Sequence, residues 1–508
     1  MSEGTVSFRG VMLAKPPIGA VAIGLLFVWF SLGPSLLPRA PMMQGVATGT
    51  SFMFGYGIGV AVFAIVRVVL RRLDKTVPKT PGWAWLVVAL VVAAIVGALV
   101  ILWPGWQTEQ RELVGLPEVG ISSGLLAVVW SFVVLVVLFL VVRIVRWLVL
   151  GFDQLIAKWL PAWGAHAVTT GLVLLIVLGT YAFIASSGLA QFANARFAAS
   201  DEATEAGVTQ PTDSTSSGSP ESLTEWDDLG YQGRTFAGTA TSVDDLNSFN
   251  ANPAEVETPI RVYAGLESAD TAEARAQLVV DELIRTGAAD REVLVVVATT
   301  GTGWVDPVAA AAIEYMYNGD TAIAAMQYSF LPSWISFILD TATSTEAGIA
   351  INEAVVAWWN TLPVDDRPSL YAFGESLGSL GSEAAYAQAD LDASLAFAQS
   401  SVDGVVWIGP TEANIVRGQL VAERDPSPVW KPEYSNGGIV RTANRPGEAL
   451  EDIASWAAPR VLYFHHPSDP VGYWSWDTLW KPQEWTQEPI GYDVPQSVRW
   501  VPFTTFVQ

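Results

Sequence analysis

Leu370-Tyr371-Ala372-Phe373-Gly374-Glu375-Ser376-Leu377-Gly378-Ser379-Leu380-Gly381 decides how the second half of this 508-residue chain is read. The apolar run Leu370–Phe373 predicts a buried strand. The small residues that follow Ser376 open a helix-like stretch through Tyr386. Between them lies G-x-S-x-G, with Gly374 and Gly378 flanking Ser376. A serine on a sharp strand-to-helix turn is lifted above the strand ends, where it can act as a nucleophile, and glycines let the backbone pass close to itself. Ser376 is therefore the candidate nucleophile, and the amide of Leu377 a candidate donor to an oxyanion. The pentapeptide alone is weak evidence, since a plain Gly/Ser turn has the same spelling. The surrounding pattern gives it weight.

Outward from that turn, strand and helix patterns alternate. Ile260–Tyr263, Val293–Val297, Ile323–Tyr328, Val402–Ile408 and Val461–Phe464 read as strands. Ala272–Arg285 and Ile351–Trp359 read as helices, and Pro307 suits the first turn of another. Near-continuous apolar strands between helices predict a doubly wound, mostly parallel sheet, with ligands at the carboxyl ends of its strands. Three of those ends carry chemistry. One is the Ser376 turn. A second is Thr299-Thr300-Gly301-Thr302-Gly303-Trp304, where Gly301 permits close backbone approach and its amide is a candidate oxyanion donor. A phosphate cradle is the rival there, but no G-x-x-x-x-G-K-[ST] and no nearby lysine accompany it. The third is His465-His466-Pro467-Ser468-Asp469-Pro470, in which Asp469 is either a catalytic acid or a turn cap before proline.

A serine needs a base. The histidines are His166, His465 and His466, and none follows Asp469. His166 starts an apolar run and reads as an interface residue. His466 is the candidate base within this sequence, but two strand spacings, about 10 Å, separate its loop from the Ser376 turn, so it reaches the serine only marginally. Val498–Phe503 reads as one more strand.

The first half is a different kind of sequence. Apolar runs at about 17–37, 45–68, 82–104, 121–142 and 167–190 are each long enough to cross a bilayer, giving five expected spans. Trp83, Trp85 and Trp103 flank the third at headgroup depth. No span carries an ionisable residue near its centre, which argues against an ion or proton pathway. Glycines four apart in Gly55-Tyr56-Gly57-Ile58-Gly59 suit close helix packing. Basic residues gather before the first span (Arg9, Lys15), after the second (Arg67, Arg71, Arg72, Lys75, Lys79) and after the fourth (Arg143, Arg146, Lys158). The alternation places the N-terminus inside and, after five spans, the C-terminal half outside the cell membrane. The first run reads as an uncleaved anchor.

Charge divides the same way. Residues 1–199 hold 13 Lys+Arg against 6 Asp+Glu, and the remainder 14 against 44, within a net of −23. Mean hydropathy is +0.35, as for a chain partly in a membrane. So acidic a second half excludes electrostatic nucleic-acid binding. The absence of cysteine excludes disulfides, thiolate metal sites and a cysteine nucleophile. No cofactor and no metal site are expected, and the oligomeric state is not legible. The domain reading is residues 1–198 as a helical membrane domain and 199–258 as an acidic Ser/Thr/Pro-rich lead-in, flexible over 199–225. Residues 259–508 follow as the α/β domain.

Together these stretches resemble a family: the membrane-anchored bacterial α/β-hydrolases with an N-terminal helical membrane domain. The carriers are Pro259–Tyr263, Thr300–Pro307, Gln327-Tyr328-Ser329-Phe330-Leu331-Pro332-Ser333-Trp334, Gly374–Gly378 and His466–Pro470. The resemblance covers nearly the whole chain. It implies an α/β-hydrolase fold, a serine hydrolase with Ser376 as nucleophile and Asp469 as acid, and a lipid or cell-envelope acyl ester as substrate. It also implies a further histidine-bearing loop beyond the equivalent of Gln508, so the sequence is expected to lack the end of its catalytic domain and to turn over weakly. Trp474, Trp476, Trp480 and Trp485 either line an acyl or sugar pocket or pack as core. An acyltransferase using the same serine, or a catalytically dead membrane scaffold, would share this sequence pattern.

Overall fold

The structure is a computed structural model. It describes residues 16–75, 80–185, 196–198, 200–250, 255–450 and 456–508. Arg9, Lys15, Lys79 and the end of the fifth expected span lie outside them. The chain forms two compact units. One comprises residues 1–181 with 467–470 and 474–508, the other residues 182–466 with 471–473.

The helical unit contains α1 (Ile18–Ser31), α2 (Pro41–Arg72), α3 (Gly82–Ile101), α4 (Trp103–Leu113), α5 (Ile121–Ile156) and α6 (Ala162–Ala185). Three stretches are long and apolar enough to cross a membrane: α2, α3 with α4, and α5. The first and fifth expected spans contain shorter apolar helical stretches, Ile18–Ser31 and Trp163–Ile176. Most of each long helix faces outward, with Ile65, Leu86 and Phe132 each more than 60 % exposed. That is the surface a lipid environment would cover. Gly55 and Gly59 sit against α1, where an added Cβ would lie 2.8 Å from Ile23 O and 2.5 Å from Ala20 Cα. Both therefore serve close helix packing, as their spacing predicts.

Residues 474–508 pack in this same unit. Phe503 stacks on Phe54 with ring centroids 4.1 Å apart, and Gln508 Nε2 donates to Ser31 O at 3.2 Å. Trp474 and Trp476 pack on Phe506, Trp485 is buried, and Trp480 is exposed. Trp474 and Trp485 thus serve packing, while Trp476 and Trp480 are more than half exposed. The strand expected over Val498–Phe503 does not form. Irregular backbone occupies it, with a turn at 502–503, and a short helix, Thr504–Val507, follows. Pro502 interrupts the apolar alternation, and a proline cannot donate to a sheet ladder.

The other unit is built on seven parallel strands: β1 (Ile260–Ala264), β2 (Val293–Ala298), β3 (Thr321–Met326), β4 (Ser369–Glu375), β5 (Gly404–Ile408), β6 (Val440–Ala443) and β7 (Arg460–Phe464). Their order is β1-β3-β2-β4-β5-β7-β6. Its helices include α7 (Gly230–Gly238), α8 (Ala272–Thr286), α9 (Pro307–Met316), α10 (Thr341–Trp359), α11 (Leu377–Ala384), α12 (Leu391–Ser401) and α13 (Ile415–Glu423). The period-two pattern of the strands sorts their side chains. Leu294 and Val296 join the core under α8, α10, α12 and α13, while Val293, Val295 and Val297 join the one under α7 and α9. This is the doubly wound sheet that the alternation predicts.

Where a flexible tether is expected, residues 201–224 carry defined contacts. Ser216 bridges to Arg261, Ser217 N donates to Arg261 O at 2.9 Å, and Arg261 N donates to Thr215 O at 3.1 Å. The segment thereby covers the outer edge of β1, which would otherwise present unpaired backbone groups. The buried Glu282 accepts from the hydroxyls of Ser217 and Ser222 and from the Leu223 amide. The serines that suggest disorder by composition here act as hydrogen-bond donors.

Candidate functional site

Ser376 sits between β4 and α11 with φ 53° and ψ −121°. A non-glycine residue at positive φ with such a ψ is strained, at a cost on the order of 1–3 kcal/mol, and persists only where its surroundings impose it. Three contacts do so. Ser376 N donates to Ile408 O of β5 at 2.8 Å, and the amide and hydroxyl of Ser379 donate to Ser376 O at 2.9 and 2.6 Å. The flanking glycines are required. A Cβ on Gly374 would lie 2.3 Å from Gly378 O, and one on Gly378 would lie 2.1 Å from Ala298 O. The serine is half-buried, and among the described residues its hydroxyl makes no hydrogen bond. The amides of Leu377 and Gly378, in the first turn of α11, likewise have no partner among the described residues. Such orphan donors at a helix N-terminus favour developing negative charge.

Glu375 precedes the serine. Burial raises its carboxyl above the ordinary value, and the charge of Asp306 adds to the effect. Glu383, one helical segment behind the turn, is fully buried. It accepts from Asn414 Nδ2 at 3.0 Å, Val416 N at 2.6 Å and Tyr463 Oη at 2.7 Å. Burial raises its pKa too, against the lowering effect of those bonds. It ties α11 to the start of α13 and to β7, fixing the helix that carries the orphan amides.

The turn after β2 lies beside this one. β2 and β4 are neighbours, with Ala298 opposite Gly374, and Gly378 touches the Ala298–Thr299 backbone. Gly301 adopts φ 57°, as its backbone role requires. Its amide, however, donates to Tyr328 Oη at 2.8 Å. The expectation that the Gly301 N–H stands open to a substrate oxygen therefore meets an amide already engaged. Sequence pattern locates the turn but does not reveal which of its amides is free.

The histidines separate by burial. His465 is 1 % exposed, with its ring 3.0 Å from Tyr473 Oη. Burial, then the charges of Arg417 and His466, hold its pKa well below 6.5, so it stays neutral. His466 is exposed and packs edge-on against Phe464. It follows β7, two positions from β4 in the sheet. Asp469 lies on the same loop but falls in the helical unit, with Pro467–Pro470. The structure thus brings together Ser376, the Leu377 amide and the Gly301 turn, while His466 emerges two strands away. His166 lies in α6, and its side chain is outside the described residues. Among the described residues no group of three or more metal-ligating side chains converges. An apolar groove of about 380 Å³ runs between α9 and the face of β2 and β4, lined by residues such as Ile313, Met316, Tyr371 and Phe373. Ser376 is not part of its lining.

Two family models match the chain. Residues 260–508 match one described as an alpha/beta-hydrolase family, and residues 32–240 match the N-terminus of the same family. The chain belongs to this α/β-hydrolase family and carries its N-terminal domain together with the hydrolase domain. It matches neither a curated protein nor a solved structure.

Proposed function

We propose that the chain is a membrane-anchored serine hydrolase that cleaves an ester of a lipid or of the cell envelope, with Ser376 as nucleophile. The observation that carries this reading is the backbone of Ser376, held at positive φ where β4, the central strand of the sheet, turns into α11. Ser376 Oγ attacks the acyl carbonyl and gives up its proton, the carbonyl oxygen gathers negative charge beside the Leu377 amide, and collapse breaks the ester bond, the departing oxygen taking up the proton to leave as the alcohol while the acyl-enzyme that remains is cleaved by water to the acid. Family membership supports the hydrolase class. The apolar helices in the same chain support a substrate at or near the membrane. Asp469 is the proposed acid on the strength of its loop, directly after β7.

Hydrolysis of p-nitrophenyl butyrate by the purified full-length protein tests the reading, and its absence would contradict it. His466 is the histidine of the sheet unit to test as base. Because two strand spacings put its root about 10 Å from the serine turn, His466→Ala is expected to change the rate less than tenfold. A loss on the order of 10⁴ would make it the working base.

We place the sheet unit on the outer side. Support comes from Arg67, Arg71, Arg72 and Lys75 at the end of α2, and from Arg143 and Arg146 late in α5. This placement requires α1 and α6 to complete five crossings; the 24 residues of α6 extend about 36 Å. The chain has no native cysteine. A single cysteine at the exposed Thr212 (Thr212→Cys) should therefore react with an impermeant maleimide on intact cells. Reaction only after lysis would put the sheet unit inside.

A further inference from the structure

α1 ends and α2 begins at the end of the helical unit away from the basic residues Arg67, Arg71, Arg72 and Lys75. A cavity of about 300 Å³ opens there, within the range of small-ligand sites. Its lining includes Trp29 and Pro34 at the end of α1, Trp106, Glu109 and Gln110 of α4, and Pro495 of the C-terminal segment, all within the helical unit. Positions 106, 109 and 110 share one helical face. Buried side chains fix the walls from behind. Gln110 donates Nε2 to Ser35 O at 2.6 Å and accepts from Gln107 Nε2 at 2.7 Å. Gln107 Oε1 accepts from Arg39 N at 2.6 Å, and Arg39 Nη1 donates to Ser31 O at 3.0 Å. α4 is thereby tied to the turn after α1, and the cavity is preformed.

Depth and charge describe what fits it. Trp29, Trp103 and Trp106 lie at this end of the apolar helices, and tryptophan collects at headgroup depth. Among the described residues of the lining, Glu109 alone is ionisable, and its carboxylate has no partner among the described residues. The opposite charge lies behind Gly33, another residue of the lining. Arg39 is 7 % exposed, Nη2 donates to Gly33 O, and Nε has no partner. Among the described residues no carboxylate pairs with it. Burial lowers its pKa to about 9, so it remains a cation at neutral pH. The cavity is therefore apolar and aromatic in its walls, with a free carboxylate on one side and a buried guanidinium behind the other.

We propose that this cavity binds the headgroup of an ammonium-bearing phospholipid, phosphatidylethanolamine. The ammonium pairs with Glu109 beside the Trp29 and Trp106 rings, where attraction between cation and ring adds to the ion pair. The phosphate takes the Gly33 side, in the field of Arg39. The acyl chains stay in the bilayer along α1, where Leu26 and Phe30 are exposed. Phosphatidylglycerol has the same phosphate and chains but lacks the group that Glu109 selects. The bound headgroup also touches Pro495 and Ser497, so it holds the C-terminal segment against α1 and α4. The site is independent of the reading of Ser376.

The test is native mass spectrometry of the purified full-length protein in detergent, offered equal amounts of phosphatidylethanolamine and phosphatidylglycerol with the same acyl chains. The parent should retain one phosphatidylethanolamine in preference to phosphatidylglycerol by about fivefold or more. Glu109 is exposed, so Glu109→Gln should fold as the parent does. It should bring the preference to near unity. Trp106→Ala should lower retained phosphatidylethanolamine about fivefold. Glu112→Gln, on the same helix but outside the lining, should leave the preference unchanged. Phosphatidylethanolamine should also slow hydrogen exchange over residues 496–501 in the parent and not in Glu109→Gln. Equal retention of the two lipids by the parent overturns the proposal. So does a preference that survives Glu109→Gln, or one that Glu112→Gln abolishes equally.

Discussion

Ser376→Ala abolishes ester hydrolysis and fluorophosphonate labelling, a loss of the whole rate above background, and leaves the fold intact. The size follows from the role. Without the oxygen no acyl-enzyme forms, and only the oxyanion donors remain to assist water. The fold survives because the hydroxyl makes no hydrogen bond among the described residues, while the turn is held by backbone groups and Ser379. Ser376→Gly sharpens the result. It should be equally inactive yet more stable by about 1 kcal/mol, because glycine relieves the strain of φ 53°. Stability gained as activity is lost would show that the strain serves the site. Rates on p-nitrophenyl butyrate and thermal unfolding of the three proteins check both halves, and a Ser376→Ala variant with near-parental rates would place the nucleophile elsewhere.

Glu314→Ala destabilises the sheet unit by about 3–5 kcal/mol. Arg261 of β1 lies with Glu314 of α9 in a forked pair, Nε to Oε1 at 2.6 Å and Nη2 to Oε2 at 2.9 Å, with side chains 1 % and 0 % exposed. Removing the carboxylate strands a guanidinium in the core with one backbone partner at normal distance, Phe236 O at 2.7 Å. Glu314 also accepts from the Thr241 amide and hydroxyl, so the lead-in segment loses its tie as well. Glu314→Gln keeps the shape and some of these bonds and should cost less. Chemical unfolding of both variants measures the difference, and equal stability of Glu314→Ala and the parent would show the pair to be dispensable.

The strands that sequence pattern located are those with a near-continuous apolar run. Val293–Val297 and Leu370–Phe373 are apolar without interruption because helices cover both faces, and the turn between β4 and α11 is spelled out by Gly374, Ser376 and Gly378. β6 escapes the pattern. Val440-Arg441-Thr442-Ala443 is four residues long, polar at half its positions and lies at the sheet edge, where alternation weakens. The ordering of residues 201–224 was hidden for a different reason. Serine, threonine and acidic residues spell disorder by composition, but here they meet Glu282, Arg261 and Gln327, partners 45 residues or more along the chain. The engagement of the Gly301 amide was equally hidden, since it depends on Tyr328, a tyrosine just beyond β3. Local motifs announce where a site forms, and long-range hydrogen bonds decide which of its groups are available.

The central claim is that Ser376 is the nucleophile of a hydrolase. Its most direct test is to treat the purified full-length protein with a fluorophosphonate, digest it and map the adduct by mass spectrometry. The account predicts one phosphonylated residue, Ser376, in the native protein, and none after denaturation before treatment. No adduct in the native protein, or an adduct on a different serine, would contradict it.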